Sequence, residues 1–183
     1  FPDVGSPYDS NFATTAVIAD FNNDGFGDVA VGWQKPGEHT IANDVVNSAG
    51  AVFYNDGTND WRNRIVALPA NYFGANGLAN DMQAFDFDGD GFIDIVLAST
   101  KHDPYYDGRY VQFFKNVDGT TWSDVSSTAN PSTKYANGLN NGFWNGDGNL
   151  ALVDFDHDGD MDIVDQARGT YALINNGDGT FTL

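Results

Sequence analysis

DFDGDGFID at residues 86–94 is the stretch that decides the fold of this chain, because two further copies of it occur in the same sequence. DFNNDGFGD precedes it at 20–28, and DFDHDGDMD follows it at 154–162. Oxygen-bearing side chains stand at positions 1, 3, 5 and 9 of each copy, and a glycine at position 6 permits a sharp turn. A single Asp-Gly cluster is an ordinary turn, but three matching copies favour loops that collect oxygens around a hard cation. The sequence therefore predicts three calcium-binding loops.

The expected ligands are side-chain oxygens and one main-chain carbonyl from each loop. Position 7 of a calcium loop contributes its backbone oxygen. In this chain no copy has at position 12 the glutamate that closes an EF-hand loop. Asn22 replaces an aspartate in the first loop, which keeps an oxygen ligand and removes one charge. The predicted ligands are Asp20, Asn22, Asp24, Phe26 and Asp28, then Asp86, Asp88, Asp90, Phe92 and Asp94, then Asp154, Asp156, Asp158, Asp160 and Asp162. Phe26, Phe92 and Asp160 are the main-chain ligands of this set.

Short apolar runs flank the loops, for example AVIA at 16–19 and IVL at 95–97. These runs are rich in β-branched residues and too short for helices, so each loop is predicted to join two strands. The phenylalanine at position 2 of each loop is expected to point away from the cation and to pack on a core.

The pattern extends beyond the loops, because Asp20, Asp86 and Asp154 lie 66 and 68 residues apart. Each interval also holds a hairpin turn that ends on an aromatic residue: NDGTNDW at 55–61, NVDGTTW at 116–122 and NNGDGTF at 175–181. An apolar strand enters each hairpin, so every unit contains four antiparallel strands. No window has sustained helical periodicity, and the connectors 35–47, 69–80, 100–109 and 126–148 are predicted to be loops.

Four antiparallel strands per repeat, marked by glycine and an aromatic residue, describe a β-propeller blade. The loops, together with INNGDGTF at 174–181, resemble the FG-GAP or VCBS repeats of integrin alpha subunits, secreted microbial proteins and fungal lectins. The predicted fold is all-β, with blades at about 13–68, 79–125 and 148–183 and with 1–12 as the tail of a preceding blade. Three blades leave two open edges, so we expect further blades from a longer chain or from another copy of this one.

The chain is strongly acidic, with 26 Asp and Glu residues against 8 Lys and Arg residues and a formal net charge of -18. This charge disfavours nucleic acid and anionic membranes as partners, and no apolar run is long enough for membrane insertion. The absence of cysteine gives no disulfide evidence on the compartment. Acidic calcium loops are most useful where calcium is abundant, which favours an extracellular or cell-surface location.

The calcium loops and hairpins of a four-strand meander lie at one end of the blade, and the long connectors lie at the other. Long loops on a rigid scaffold concentrate binding residues, and the integrin resemblance implies ligand binding on the same face. The candidates there are Trp33, His102, Tyr105, Tyr106, Arg109 and Trp144, followed by His39, Lys101, Asn140 and Asn141. The alternative is a solvated loop at 101–109 whose tyrosines pack on a neighbouring blade, which is the role predicted for Trp61 and Trp122 as well.

Three functions fit these features. The first is a calcium-stabilised extracellular module that binds or adheres to a glycan or a protein. The second is the propeller of a secreted polysaccharide lyase in which a histidine or tyrosine acts as base, and the third is a self-assembling structural unit. No catalytic residue is predicted, because the sequence lacks G-x-S-x-G, H-E-x-x-H and phosphate-binding motifs, and an enzymatic role rests on fold analogy alone.

Overall fold

The computed structural model describes residues 13–34, 47–58, 64–103, 107–129, 148–165 and 171–183. Within these ranges the chain forms three antiparallel sheets of four strands each, and the strands of each sheet follow one another in sequence order. The all-β class and the four-strand unit predicted from the sequence are therefore confirmed.

Each sheet begins with the strand that leads into an acidic loop and ends with the strand that leaves a hairpin. The first sheet contains β1 (Ala13–Ala19), β2 (Asp28–Trp33), β3 (Gly50–Phe53) and β4 (Ile65–Ala67). The second contains β5 (Gly77–Phe85), β6 (Asp94–Lys101), β7 (Asp107–Asn116) and β8 (Trp122–Asp124). The third contains β9 (Leu150–Val153), β10 (Asp162–Asp165), β11 (Tyr171–Asn175) and β12 (Phe181–Thr182).

The second sheet is covered on both faces, which explains why IVLA at 95–98 of β6 is a continuous apolar run. Successive side chains of a strand point to opposite faces, so Leu97 enters one core and Val96 enters another. The first core joins repeats one and two and includes Phe21, Val52, Leu68, Met82, Leu97 and Phe114. The second core joins repeats two and three and includes Phe87, Val96, Phe113, Ile163, Leu173 and Phe181.

One short helix, α1 (Ser126–Ala129), lies where the sequence predicts only loop. The Asp124 carboxylate accepts the Ser126 N–H at 2.9 Å, and Ala129 N–H donates to the Val125 carbonyl at 2.9 Å. The Ser126 hydroxyl in turn accepts the Phe113 N–H at 2.9 Å, which ties the turn to β7. A single turn held by side-chain bonds carries no helical periodicity, so the sequence gives no signal for it.

The phenylalanine at position 2 of a loop is buried only where a following repeat covers it. Phe21 and Phe87 are 0% and 1% exposed, whereas Phe155 is 62% exposed. Phe21 packs edge-on against Trp122 of the second repeat at 5.5 Å, and Phe87 packs against Phe181 of the third at 6.2 Å. The predicted core role is thus confirmed for two loops and wrong for the third. The packing role predicted for Trp122 is confirmed, and Trp61 lies outside the described residues.

A hairpin asparagine joins the second repeat to the loop of the first, and another joins the third repeat to the loop of the second. Asn116 Nδ2 donates to the Phe21 carbonyl at 2.8 Å, and Asn175 Nδ2 donates to the Phe87 carbonyl at 3.2 Å. The equivalent Asn55 donates to Gly27 of its own loop at 3.3 Å. These two contacts between repeats therefore use the same pair of groups, an asparagine amide and a loop carbonyl.

We expect Asn116→Ala to lower the free energy of unfolding by about 2–4 kcal/mol, because a buried amide that satisfies several backbone groups is lost. Asn116 is fully buried, donates also to the Ile93 carbonyl at 3.1 Å and accepts the Gly119 N–H at 2.8 Å. The matched control Asn55→Ala removes no bond to another repeat and should cost about 1 kcal/mol or less. Urea unfolding measures both, and equal losses would contradict the joining role.

Candidate metal centre

A buried aspartate at position 9 connects each acidic loop to the hairpin of its own repeat. Asp28, Asp94 and Asp162 are 0% exposed, and both oxygens of each carboxylate accept backbone N–H groups. The Oδ2 atoms accept from position 2 of the loop, namely Phe21, Phe87 and Phe155, at 3.0, 3.0 and 2.7 Å. The Oδ1 atoms accept from Asn55, Asn116 and Asn175, each at 2.8 Å. These bonds fix the position of the carboxylate before any ligand binds.

The aspartate at position 1 bends the backbone of the second loop around itself. Asp86 Oδ1 accepts the N–H groups of Gly89 and Asp90 at 2.8 and 3.2 Å, and its Oδ2 accepts that of Gly91 at 2.8 Å. Gly89 and Gly91 have φ values of 73° and 92°, which glycine adopts without strain. The glycine expected at position 6 is therefore required for this turn.

Position 4 takes the left-handed conformation in all three loops, a requirement that sequence reasoning missed. The residues there are Asn23, Gly89 and His157, with φ values of 57°, 73° and 65°. Asparagine and histidine are among the non-glycine residues that tolerate this region best, so the residue types were an available signal. His157 is exposed, as expected for position 4.

Three carboxylates converge in the second loop and three in the third. The groups are Asp86, Asp88 and Asp94, and Asp154, Asp156 and Asp162; in each group the oxygens lie within 4.8 Å of one another. Asp88 Oδ1 and Asp154 Oδ1 are buried and accept no hydrogen bond. A buried carboxylate oxygen without a donor is costly unless a cation or another donor compensates it. Each triad could therefore hold a metal ion.

The electrostatics of the second loop also favour a cation. Burial raises the pKa of Asp94 to about 7, against the lowering effect of its two backbone donors, and the nearby charges of Asp88 and Asp90 raise it further. Burial is also the main cause of the raised pKa of Asp28. Ionising several carboxylates in one small loop is therefore unfavourable until positive charge enters it.

The first loop differs from the other two, because no such triad forms among its described residues. Asn22 stands where the other loops have an aspartate, and its Nδ2 donates to Asp24 Oδ2 at 3.0 Å. Asp20 makes the expected turn bonds to Asp24 N–H and Gly25 N–H at 3.0 and 2.8 Å. The loop conformation is thus shared, and the cation site predicted at Asp20, Asn22, Asp24 and Asp28 stays a prediction.

The aspartate at position 5 faces the backbone of position 7 in each loop. Asp24, Asp90 and Asp158 each accept the N–H of the residue two positions on, at 2.9 Å in all three loops. None of the three belongs to a triad. Their role as ligands and the main-chain ligation by Phe26, Phe92 and Asp160 stay predictions.

Lys115 lies on β7 and contacts the second acidic loop, and it was not among the residues predicted from the sequence. Its ammonium forms ion pairs with Asp88 Oδ2 and, at 2.9 Å, with Asp90 Oδ2. Partial burial favours the neutral amine, but the bonds to the two carboxylates outweigh this and raise the pKa of Lys115. They likewise help to lower the pKa of Asp90 against the opposing effect of burial. The available signal was its place directly before Asn116, the residue that binds Asp94.

Strand β6 runs from Asp94 to Lys101. The acidic loop therefore lies at one end of the second sheet, and the predicted ligand face lies at the other end. Two candidates there are largely buried. Trp33 is 7% exposed and packs with Val31, Ala51 and Phe53. The Arg109 side chain is 11% exposed, and its Nε lies 3.5 Å from Asp165 Oδ2. Trp33 and Arg109 are thus largely buried, and their role in ligand binding stays a prediction.

The other ligand-face candidates are only partly described. His102 is half-buried, and its N–H donates to the Asn76 carbonyl at 2.8 Å. Lys101 is half-buried and Thr100 is fully buried, and both belong to β6 rather than to the loop predicted at 100–109. Tyr105, Tyr106 and Trp144 lie outside the described residues, as do His39, Asn140 and Asn141.

Tyr72 is an exposed aromatic residue at the same end of the sheet as the predicted ligand face. It was not among the residues predicted from the sequence. Its ring is 43% exposed and stacks on Tyr110 with centroids 3.7 Å apart and an interplanar angle of 5°. Phe73 contacts the same ring edge-on at 5.1 Å. The connection 71–76 thus presents an aromatic ring supported by two others.

Comparison with protein-family models, characterised proteins and solved structures finds no match for this chain. The resemblance to FG-GAP or VCBS repeats therefore rests on the motifs of the sequence alone. No helix in the described part of the chain is long and apolar enough to cross a membrane.

Proposed function

We propose that this chain is a calcium-stabilised segment of an extracellular β-propeller that binds a glycan or a protein through the face opposite its acidic loops. The observation that supports this most directly is the pair of carboxylate triads, each with a buried oxygen that lacks a hydrogen-bond donor. The binding role and the location outside the cell are further steps, which rest on the motif resemblance and on the supported ring of Tyr72.

Calcium is the cation that best suits these triads. Their donor atoms are all oxygens, the chain contains no cysteine, and the histidine of the third loop is exposed. Zinc and copper sites use nitrogen and sulfur ligands, whereas magnesium demands a nearly ideal octahedron. Calcium accepts six to eight oxygens in irregular geometry, which suits carboxylates that backbone bonds already hold.

The propeller architecture is supported by the way the three sheets are packed. The second sheet covers the loop phenylalanine of the first repeat, and the third sheet covers that of the second. The outer face of the third sheet carries Val153 and Phe155, which are 38% and 62% exposed. A further four-stranded repeat with a hairpin asparagine and an aromatic residue would cover this face as the other two are covered.

Two alternative functions keep some support. A polysaccharide lyase would need accessible groups near His102, but Arg109 is largely buried and paired with Asp165. A self-assembling structural unit is favoured by the open face at Phe155. The binding module stays the main proposal because Tyr72 offers an exposed ring, a surface suited to stacking on the apolar face of a sugar.

We expect chelation to lower the melting temperature by about 10–20 °C. A cation at a hundredfold excess over its Kd stabilises the fold by about 2.7 kcal/mol per site, and 1 kcal/mol corresponds to about 2–4 °C for a domain of this size. Asp88→Asn and Asp156→Asn should each reduce the fall in melting temperature that chelation causes. Asp118→Asn, at an exposed hairpin turn, should leave that fall unaltered. Calorimetric melting with calcium, magnesium or chelator measures this, and identical curves in all three would refute it.

The open face at Phe155 should make the isolated chain self-associate. Analytical ultracentrifugation across micromolar concentrations is expected to detect oligomers, and Phe155→Asp should abolish them because a charge replaces the central apolar group. Val117→Asp is the control, since Val117 is 47% exposed but lies on a hairpin away from this face. A chain that stays monomeric at every concentration would count against a further repeat on this face.

Binding of a glycan should depend on Tyr72. Labelled protein applied to a glycan array is expected to bind without cleaving the sugar, and Tyr72→Ala should weaken binding about tenfold, the equivalent of about 1.4 kcal/mol of stacking. Tyr72→Phe retains the ring and should retain most of the affinity. Release of unsaturated fragments from a uronate polymer would instead support the lyase, and unaltered binding by Tyr72→Ala would place the site elsewhere.

A further inference from the structure

Lys115 places a positive charge in the second acidic loop. It lies on β7 with 28% of its side chain exposed, and its ammonium bonds to Asp88 Oδ2 and Asp90 Oδ2. Asp88 belongs to the triad that could hold a cation, so one carboxylate serves both the ammonium and the cation site. The ammonium thus neutralises part of the loop charge when no metal is bound.

The equivalent position in the other repeats carries no charge. The residue directly before the hairpin asparagine is Tyr54 in the first repeat and Ile174 in the third. Tyr54 instead accepts a hydrogen bond from Trp122 Nε1 at 3.1 Å. Within the described ranges, no lysine or arginine ion pair reaches the triad of the third loop. The two triads therefore use the same three loop positions and differ in charge.

The second loop also lies at the contact between the second and third repeats. Gly179 of the third hairpin has a φ of +82°, and a Cβ added to it would lie 3.1 Å from Asp88 Cβ. The same contact recurs one repeat earlier, where a Cβ on Gly119 would lie 3.0 Å from Asn22 Cα. Position 3 of a covered loop thus sits directly under the next repeat. An uncompensated carboxylate there would weaken the packing of the two repeats.

We propose that Lys115 is a tethered counter-ion that competes with the metal for the second loop. In the absence of metal it holds the loop and the contact with the third repeat in place. When a divalent cation arrives, the ammonium must leave Asp88, so the second loop fills at a higher cation concentration than the third. This inference rests on the proposed cation binding and assigns the two triads different affinities.

The direction of the effect follows from the charges. A cation entering the triad meets an ammonium a few ångströms away, and like charges at such distances repel strongly even at an effective dielectric of about 20. The ammonium must also give up two charge-assisted hydrogen bonds. Removing the charge should therefore tighten binding at the second loop by about 10- to 100-fold.

The test is calorimetric titration of the whole chain with calcium chloride. Each background also carries Asp24→Asn, which disables the cation site predicted in the first loop. Asp156→Asn then disables the third loop, so this background reports on the second, and Asp88→Asn gives the reverse. We expect Lys115→Met to tighten binding 10- to 100-fold in the Asp156→Asn background and to leave the Asp88→Asn background unaltered. Lys115→Arg keeps the charge and should bind like the parent.

Arg64→Met is the matched charge control, because it removes one positive charge at an exposed ion pair with Asp56 in the first hairpin. It should alter neither affinity. If Lys115→Met is unstable without metal, it can be purified in calcium and titrated against a chelator of known affinity, which gives the same constant. In excess chelator its melting temperature should fall below that of the parent, because the counter-ion is lost.

The outcomes separate the two proposals. Calcium binding to both loops with the same affinity in Lys115→Met and its parent overturns the competition and leaves the cation sites intact. An equal gain from Arg64→Met overturns it as well, because the effect would then follow from net charge alone. No calcium binding in any variant overturns the proposed cation function and the competition together.

Discussion

The rest of the structure depends on a buried carboxylate that accepts two backbone N–H groups, one from its own loop and one from the neighbouring hairpin. Asp28, Asp94 and Asp162 all do this. The bonds bring the loop and the hairpin together at one end of each sheet, where the hairpin asparagine can then reach the preceding repeat. Burying a charged group is costly, which is visible in the raised pKa of Asp94. The acidic loop and the hairpin of each repeat are thus held together by this buried carboxylate.

The three loops share a backbone and differ in charge. The first has an amide at position 3, the second has a lysine ammonium in contact with two of its aspartates, and among the described residues the third has neither. Because backbone geometry is set by position-9 bonds and by left-handed residues at positions 4 and 6, the side chains at other positions are free to vary. A repeat of this kind can therefore change the charge of its loop without changing its fold.

Much of the fold could be predicted from the sequence because the signals are local. The apolar runs, the loop glycines and the hairpin turns recur with one period, and they correctly indicate four strands per unit. What could not be predicted depends on contacts between repeats or between distant segments. Phe155 and Phe87 each lie between two aspartates, but within the described part of the chain no repeat packs on Phe155. Arg109 pairs with Asp165, which is far away in sequence. Lys115 was missed because its contact with Asp88 crosses 27 residues.

The asparagine contacts between repeats also constrain how the chain folds during synthesis. Asn116 follows Phe21 by 95 residues, and Asn175 follows Phe87 by 88. At about 5–20 residues per second, a loop phenylalanine emerges from the ribosome roughly 5–20 s before the group that covers it. Each of these two repeats therefore presents an apolar ring whose burial is completed by its successor, and until then the nascent chain carries an exposed apolar surface that favours aggregation.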